Sequence, residues 1–299
     1  MDGQTKGYLF AILSSLLMPS AFIVNYIALQ SVNIATLTFY FFGFGLLGAT
    51  AGLIITGKLF RAVRLFKRHW KPIAILGLVN GSTAIIWFFA LKLVGPSPLG
   101  FLMRFATVFA VILGVVYLKE RFNRGEILGG AMMIIGAFVM TFKASENIVI
   151  GALLALFLSL VVALEQMFLK KYVKHIEPIV FNALRLAFTF LAVSIYVAAR
   201  MNLVLPSLDV MLLIFLGATL AAVIGFVFYF KALEVAELSK VATIQSLVPF
   251  VVLLYSLIFL GNVPTGLQLI GGVVIGLGAF FLVLARHRPK IIEKLLPNF

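Results

Sequence analysis

The sequence predicts an all-α integral membrane protein, with ten transmembrane helices arranged as two inverted five-helix repeats. Three observations lead there. First, 63% of the 299 residues are hydrophobic and only 11% are charged, with a mean hydropathy of +1.16. Water-soluble domains carry roughly 25% charged residues, so a soluble fold of this composition would lack the polar surface to cover itself. Second, ten apolar segments are long enough to cross a bilayer, which takes about 20 residues. Third, the chain repeats itself at offsets of 142 and 144 residues.

The expected spans run 7–28, 34–56, 73–92, 97–118, 126–142, 148–169, 179–199, 209–230, 240–260 and 266–285. The opening, MDGQTKGYLFAILSSLLMP, places a charge ahead of an apolar run, as a signal peptide does. It has no small-x-small cleavage pattern and continues into a longer apolar stretch, so it is expected as a retained first span. Pro19 marks that span for a kink. The segment 57–72, GKLFRAVRLFKRHWKP, is the long connection and reads as a basic amphipathic turn on the membrane surface. Span 4 carries Arg104, span 6 carries Glu165 and span 7 carries Arg185. Span 9 holds a polar cluster, Thr243, Gln245 and Ser246, followed by Pro249, which would disturb the backbone hydrogen bonding there.

Charge sets the expected orientation. With the N-terminus inside, nineteen of the 24 lysines and arginines fall on the cytoplasmic side. Lys92, Lys143 and Arg200 fall outside, and Arg104 and Arg185 lie within spans. Basic residues collect in cytoplasmic loops, so both termini are expected inside an inner or plasma membrane. The same distribution accounts for the net charge of +14 without a nucleic-acid partner.

The repeat is visible residue by residue. LKERFNRGEILGGAMMIIGAFVM, 118–140, aligns without a gap on LGNVPTGLQLIGGVVIGLGAFFL, 260–282. Gly129-Gly130 falls on Gly271-Gly272, and Gly136-Ala137-Phe138 on Gly278-Ala279-Phe280. Upstream, Ala90-Leu91 matches Ala232-Leu233, and Gly7, Ala11 and Ser15 match Gly151, Ala155 and Ser159. Each copy, 1–143 and 144–299, holds five spans. Five is odd, so the second copy enters the bilayer from the opposite side, the arrangement of alternating-access transporters. The small-xxx-small pairs Gly48/Gly52, Gly77/Gly81, Gly125/Gly129 and Gly272/Gly276 are expected to bring helix backbones close together.

Ten spans in two five-span repeats, glycine-patterned spans 5 and 10, the junction YLKERFNRGEILGGAMMIIG and the GxxxAxxxS opening of each half carry a resemblance. The chain resembles the drug/metabolite transporter superfamily, in particular its EamA-type exporters, over nearly its whole length. The resemblance implies a ten-helix exporter of amino acids or related compounds. It also implies a glutamate after the fourth span of each half, which is Glu120 in the first copy but Asn262 in the second. An arginine in the second span of a repeat is Arg185 in span 7, whereas span 2 has Phe39 or Tyr40 near that register.

Enzyme chemistry finds little support in the residues. There are no cysteines, which removes disulfides, thiolate metal sites and cysteine nucleophiles. His69, His175 and His287 lie in cytoplasmic connections, far apart in sequence. Neither a metal site nor a cofactor is expected.

Three charges lie within spans, each costing ~2.5–3.5 kcal/mol at mid-bilayer on insertion scales. Arg104 and Arg185 are each about 12 Å from a membrane face, and Glu165 about 7 Å from the inner one, at 1.5 Å per residue. Glu165 admits two readings: an ion pair with Arg185 across the span 6–7 hairpin, or a carboxylate facing a substrate ammonium or a coupling proton. Arg104 lacks a carboxylate at similar depth in its own half, which suits it to a substrate carboxylate or phosphate. Gln245, Asn25, Asn80, Asn182, Trp87 and Tyr229 complete the candidate substrate-binding set, with Ser82 and Gln166 as weaker candidates. Asparagine and serine also serve simply to bond helices together.

These residues point to an alternating-access exporter of a small polar metabolite, amino acids or related zwitterions foremost. An organic-anion, phosphate-ester or nucleotide-sugar exchanger is the alternative, and a membrane-embedded enzyme of lipid metabolism the rival outside transport. The expected partners are a small-molecule substrate and the lipid bilayer, with the protein a monomer or homodimer.

Overall fold

The computed structural model of the protein describes residues 3–118, 124–142, 145–172, 176–236, 238–261 and 263–287. Glu120, Asn262, His175 and the 143/144 boundary between the repeats lie outside the described residues. The regular elements among the described residues are all helical. Eight are long and apolar enough to cross a membrane, and two shorter apolar helices, Gly125–Thr141 and Val248–Leu260, complete the ten-helix fold.

Among the described residues, three spans are broken along their length. The first consists of Gly3–Leu17 and Ser20–Ala28. Its break falls at Pro19, which has no N–H to give the Ser15 carbonyl. Span 4 divides into Pro96–Leu102 and Phe105–Leu118, around Met103 and Arg104. Span 9 divides into Leu238–Gln245 and Val248–Tyr255, around Ser246 and Leu247, and ends in a π-helical turn, Ser256–Leu260. The 142 offset carries Arg104 onto Ser246, so these two breaks are equivalent points of the repeat. Span 6, Glu146–Tyr172, is unbroken where span 1 is broken. Span 8 comprises Leu208–Gly217, a π-helical segment Ala218–Gly225 and Phe226–Val235.

One sequence expectation needs correction. The basic segment before span 3 is not a surface turn. It is helical and continuous with the span as Leu59–Val94, bent at His69 (φ −130°, ψ 23°). The stretch from Leu59 to Trp70 has no glycine or proline, and the bend falls in the turn before Pro72, which has no N–H for the Arg68 carbonyl and whose ring crowds it. Phe60 and Trp70 on this extension remain exposed.

Glycine contacts establish the inversion. Gly129 of span 5 (Arg124–Thr141) packs against Gly278 and Leu282 of span 10 (Gly266–His287), while Gly136 packs against Gly271 and Ile275. Residue numbers rise along one helix as they fall along the other, so the pair is antiparallel. The offset exchanges the two contacts, as a two-fold interface requires. The ends of the repeats behave likewise: Gly7 meets Val235 and Ala236, and Gly151 meets Leu93 and Val94.

Spans 2 (Ile34–Ile55) and 7 (Pro178–Arg200) pack together and are joined at both ends. On one side Lys58 and Arg61 pair with Glu177. On the other, Asn33 Nδ2 donates to the Asn202 carbonyl at 2.8 Å, and Val204 N–H donates to Thr36 Oγ1 at 3.0 Å. The 144 offset carries Asn33 onto Glu177 and Lys58 onto Asn202. The same clamp is therefore built twice, once charged and once neutral. Gly57 and Met201, also equivalent, end the two helices with positive φ, 65° and 49°.

Candidate substrate site

Proline chemistry assembles the first half of the site. In an unbroken helix the Gln245 carbonyl would accept from the N–H of residue 249, but that residue is proline. Arg104 takes the place of that donor: its Nη1 donates to the Gln245 carbonyl at 2.7 Å. A cation suits this position because the last carbonyls of a helix carry partial negative charge. The Gln245 side chain in turn donates to Ser14 Oγ of span 1 at 2.6 Å. At the equivalent break, Ser159 Oγ of span 6 donates to the Leu102 carbonyl at 3.2 Å. Arg104 Nε is buried without a hydrogen-bond partner, and Tyr229 lies within its electrostatic reach.

The second half surrounds Arg185. Its Nη1 donates to Asn80 Oδ1 at 2.7 Å and its Nη2 to Asn182 Oδ1 at 3.0 Å. The guanidinium stands 4.4 Å from the ring centre of Phe226, with Phe230 at 6.0 Å. Thr189 Oγ1 also donates to Asn80 Oδ1, at 3.1 Å. Asn182 Nδ2 donates to the Ala222 carbonyl of the π-helical segment at 2.9 Å. The network ties spans 3, 7 and 8 together.

Glu165 stands apart. Among the described residues it forms no ion pair within 4.0 Å, although it acts electrostatically on Arg185. Its Oε1 is buried and makes no hydrogen bond. The ion-paired hairpin considered from sequence does not form in this structure; Arg185 is held by two asparagines instead.

The family relationship can be placed on this geometry. Residues 5–142 and 149–284 each match the EamA-like transporter family. This chain belongs to that family. A probable amino-acid metabolite efflux pump of Salmonella typhimurium (strain LT2) is 28% identical over 252 residues, covering 78% of this chain and 84% of the pump. A protein of known crystal structure shares the fold, with a TM-score of 0.68 at 17% identity, over 96% of this chain and 99% of its own. The drug/metabolite transporter resemblance in the sequence therefore holds, and the EamA chain is a multi-pass membrane transporter.

Within this EamA chain, span 8 links the two halves of the site. Tyr229, within electrostatic reach of Arg104, comes in sequence between Phe226 and Phe230, the rings nearest the Arg185 guanidinium. Asn25 and Trp87 join neither hydrogen-bond network. Asn25 is fully buried, with neither amide atom bonded, and Trp87 meets Phe22 and Phe88 edge-on, with ring centres 5.0 and 5.1 Å apart. Ser82 and Gln166 are exposed on the outside of their helices.

Sequence reasoning passed over Ser14, Thr189, Phe226 and the Ala222 carbonyl. The GxxxAxxxS opening did point to serines in these turns, and Ser159 is one of them. Nothing local marks Thr189 or Ala222, which matter only because helices distant in sequence pack against them.

Proposed function

We propose that the protein exports small zwitterionic metabolites, amino acids foremost, by alternating access across an inner or plasma membrane with both termini cytoplasmic. The repeats 1–143 and 144–299 are the moving halves, and the equivalent breaks in spans 4 and 9 are where they exchange conformations. One observation carries the substrate class: two opposite charges sit buried with unused bonding capacity, Arg104 at Nε and Glu165 at Oε1. An unmet polar atom away from water costs about 1–3 kcal/mol. A zwitterion offers a carboxylate to the first and an ammonium to the second. Gln245, Asn80, Asn182 and Arg185 hold the surrounding helices, and Tyr229, Trp87 and Asn25 remain the candidate substrate contacts beside them. The name of the Salmonella relative supports the same class.

The test is counterflow in proteoliposomes preloaded with amino acids, organic acids, phosphate esters or nucleotide sugars. Saturable exchange of amino acids supports the reading. Exchange confined to anions without an ammonium group overturns it in favour of the organic-anion alternative, because Arg185 Nε is also buried and unbonded.

A further inference from the structure

A polar cavity, distinct from the intramembrane site, lies at the end of spans 2, 7 and 8 that the export reading places in the cytoplasm. Its volume is about 400 Å³, and Lys58, Arg61, Glu177, Val227, Lys231 and Glu234 are among its walls. Glu177 is already engaged by Lys58 and Arg61. Lys231 and Glu234 are not: among the described residues neither is ion-paired, although Lys231 Nζ lies 5.5 Å from the ring centre of Phe10. Three residues apart on one helix, they face the same space with opposite charge. We propose that this cavity is a loading site for the zwitterion, taking its carboxylate at Lys231 and its ammonium at Glu234. The assignment rests on the export reading and extends it with a second, separate binding position.

Location supports loading. Ile179 lines the cavity and stands on the helix that continues to Asn182 and Arg185. Arg185 lies six positions beyond Ile179 on this helix, a rise of about 9 Å at 1.5 Å per residue. Val227 and Lys231 alternate on span 8 with Phe226 and Phe230, the rings beside Arg185. A molecule leaving the cavity inward along either helix arrives at the intramembrane arginine. The headgroup of phosphatidylethanolamine also joins an anion to an ammonium, so the test must separate a lipid from the substrate.

The natural chain has no cysteine, which makes a single introduced thiol readable. Thr56→Cys places one on the cavity wall. In phosphatidylcholine nanodiscs, an amino acid that the wild-type protein exchanges should slow its alkylation. Lys231→Gln should raise the half-protecting concentration about tenfold, the size of one lost charge-assisted contact. Lys231→Arg should keep it. Arg104→Lys should leave it unchanged, because the cavity binds apart from the intramembrane site. If Lys231→Gln fails to fold, Glu234→Gln, on an exposed residue, carries the same expectation. No protection by an amino acid that the protein demonstrably exchanges overturns the loading site and leaves the export reading standing. Failure of exchange itself removes the export reading, and the loading site with it. Protection by phosphatidylethanolamine without amino acid assigns the cavity to lipid and overturns the proposal.

Discussion

Arg104 and Gln245 meet where spans 4 and 9 are both broken, the Arg104 guanidinium 2.7 Å from a carbonyl that Pro249 cannot serve. One proline and one arginine, 145 positions apart, thus complete a single backbone hydrogen bond. The bond uses Nη1 and leaves Nε buried and unpaired. A side chain recruited only to cap a helix could be a shorter one; this arginine also holds a donor in reserve.

Arg104→Lys keeps the charge but loses the planar fork. Transport is expected to fall at least tenfold, with about 1 kcal/mol of stability lost, as read by counterflow and thermal unfolding. Pro249→Ala acts from the other side: the restored N–H competes for the Gln245 carbonyl and straightens span 9. Folded protein should be at least as stable, with slower transport. Normal transport by both variants would remove Arg104 from the site.

Glu165 and Arg185 are expected to behave independently in stability. Glu165→Gln should unfold within about 1 kcal/mol of wild type, because no hydrogen bond to Oε1 is lost, yet transport should collapse. Arg185→Gln breaks two charge-assisted bonds, to Asn80 and Asn182, at a cost of about 2–4 kcal/mol. The double variant should recover neither stability nor transport. Recovery of both would reinstate an ion pair between them.

Two glycines of the span 5–10 pair should respond in opposite directions. A Cβ on Gly271 would stand 2.5 Å from the Gly136 carbonyl oxygen, a backbone atom that cannot yield without moving span 5. Gly271→Ala should therefore destabilise the span 5–10 pair by about 1–3 kcal/mol. Gly130 has nothing within 4 Å, so Gly130→Ala should be neutral or gain up to about 1 kcal/mol from helix propensity. Thermal unfolding of both variants decides.

The two span 2–7 clamps should differ in their response to salt. Glu177 and its partners are partly exposed, so Glu177→Gln should cost only about 0.2–1 kcal/mol, less at high ionic strength. Asn33 both accepts from Thr36 N–H at its helix start and reaches Asn202. Asn33→Ala should cost about 1–2 kcal/mol at any ionic strength. A salt series of unfolding midpoints separates them, and a salt-dependent Asn33→Ala deficit would contradict the neutral character of that clamp.

Composition, the length of the apolar runs and the repeat offset determined the membrane class, the ten helices and the inversion. Each is written in a pattern of neighbouring residues that survives without knowing any contact. Pro19 and Pro249 likewise marked broken spans, because a missing N–H is a local fact. The helix over Leu59–His69 was misread because a basic amphipathic run has the same composition whether it turns or coils. Only the tertiary structure decided the partners of the buried charges. Sequence depth put Glu165 within reach of Arg185, but Asn80, 105 positions away from Arg185, occupies its Nη1. The equivalence of Asn33–Asn202 with Glu177–Lys58 was hidden in the same way, since the repeat offset preserves positions while the residue types diverge. Within a bilayer each buried polar group bonds to whichever donor or acceptor packing brings near, and that choice is made by the helices' mutual placement.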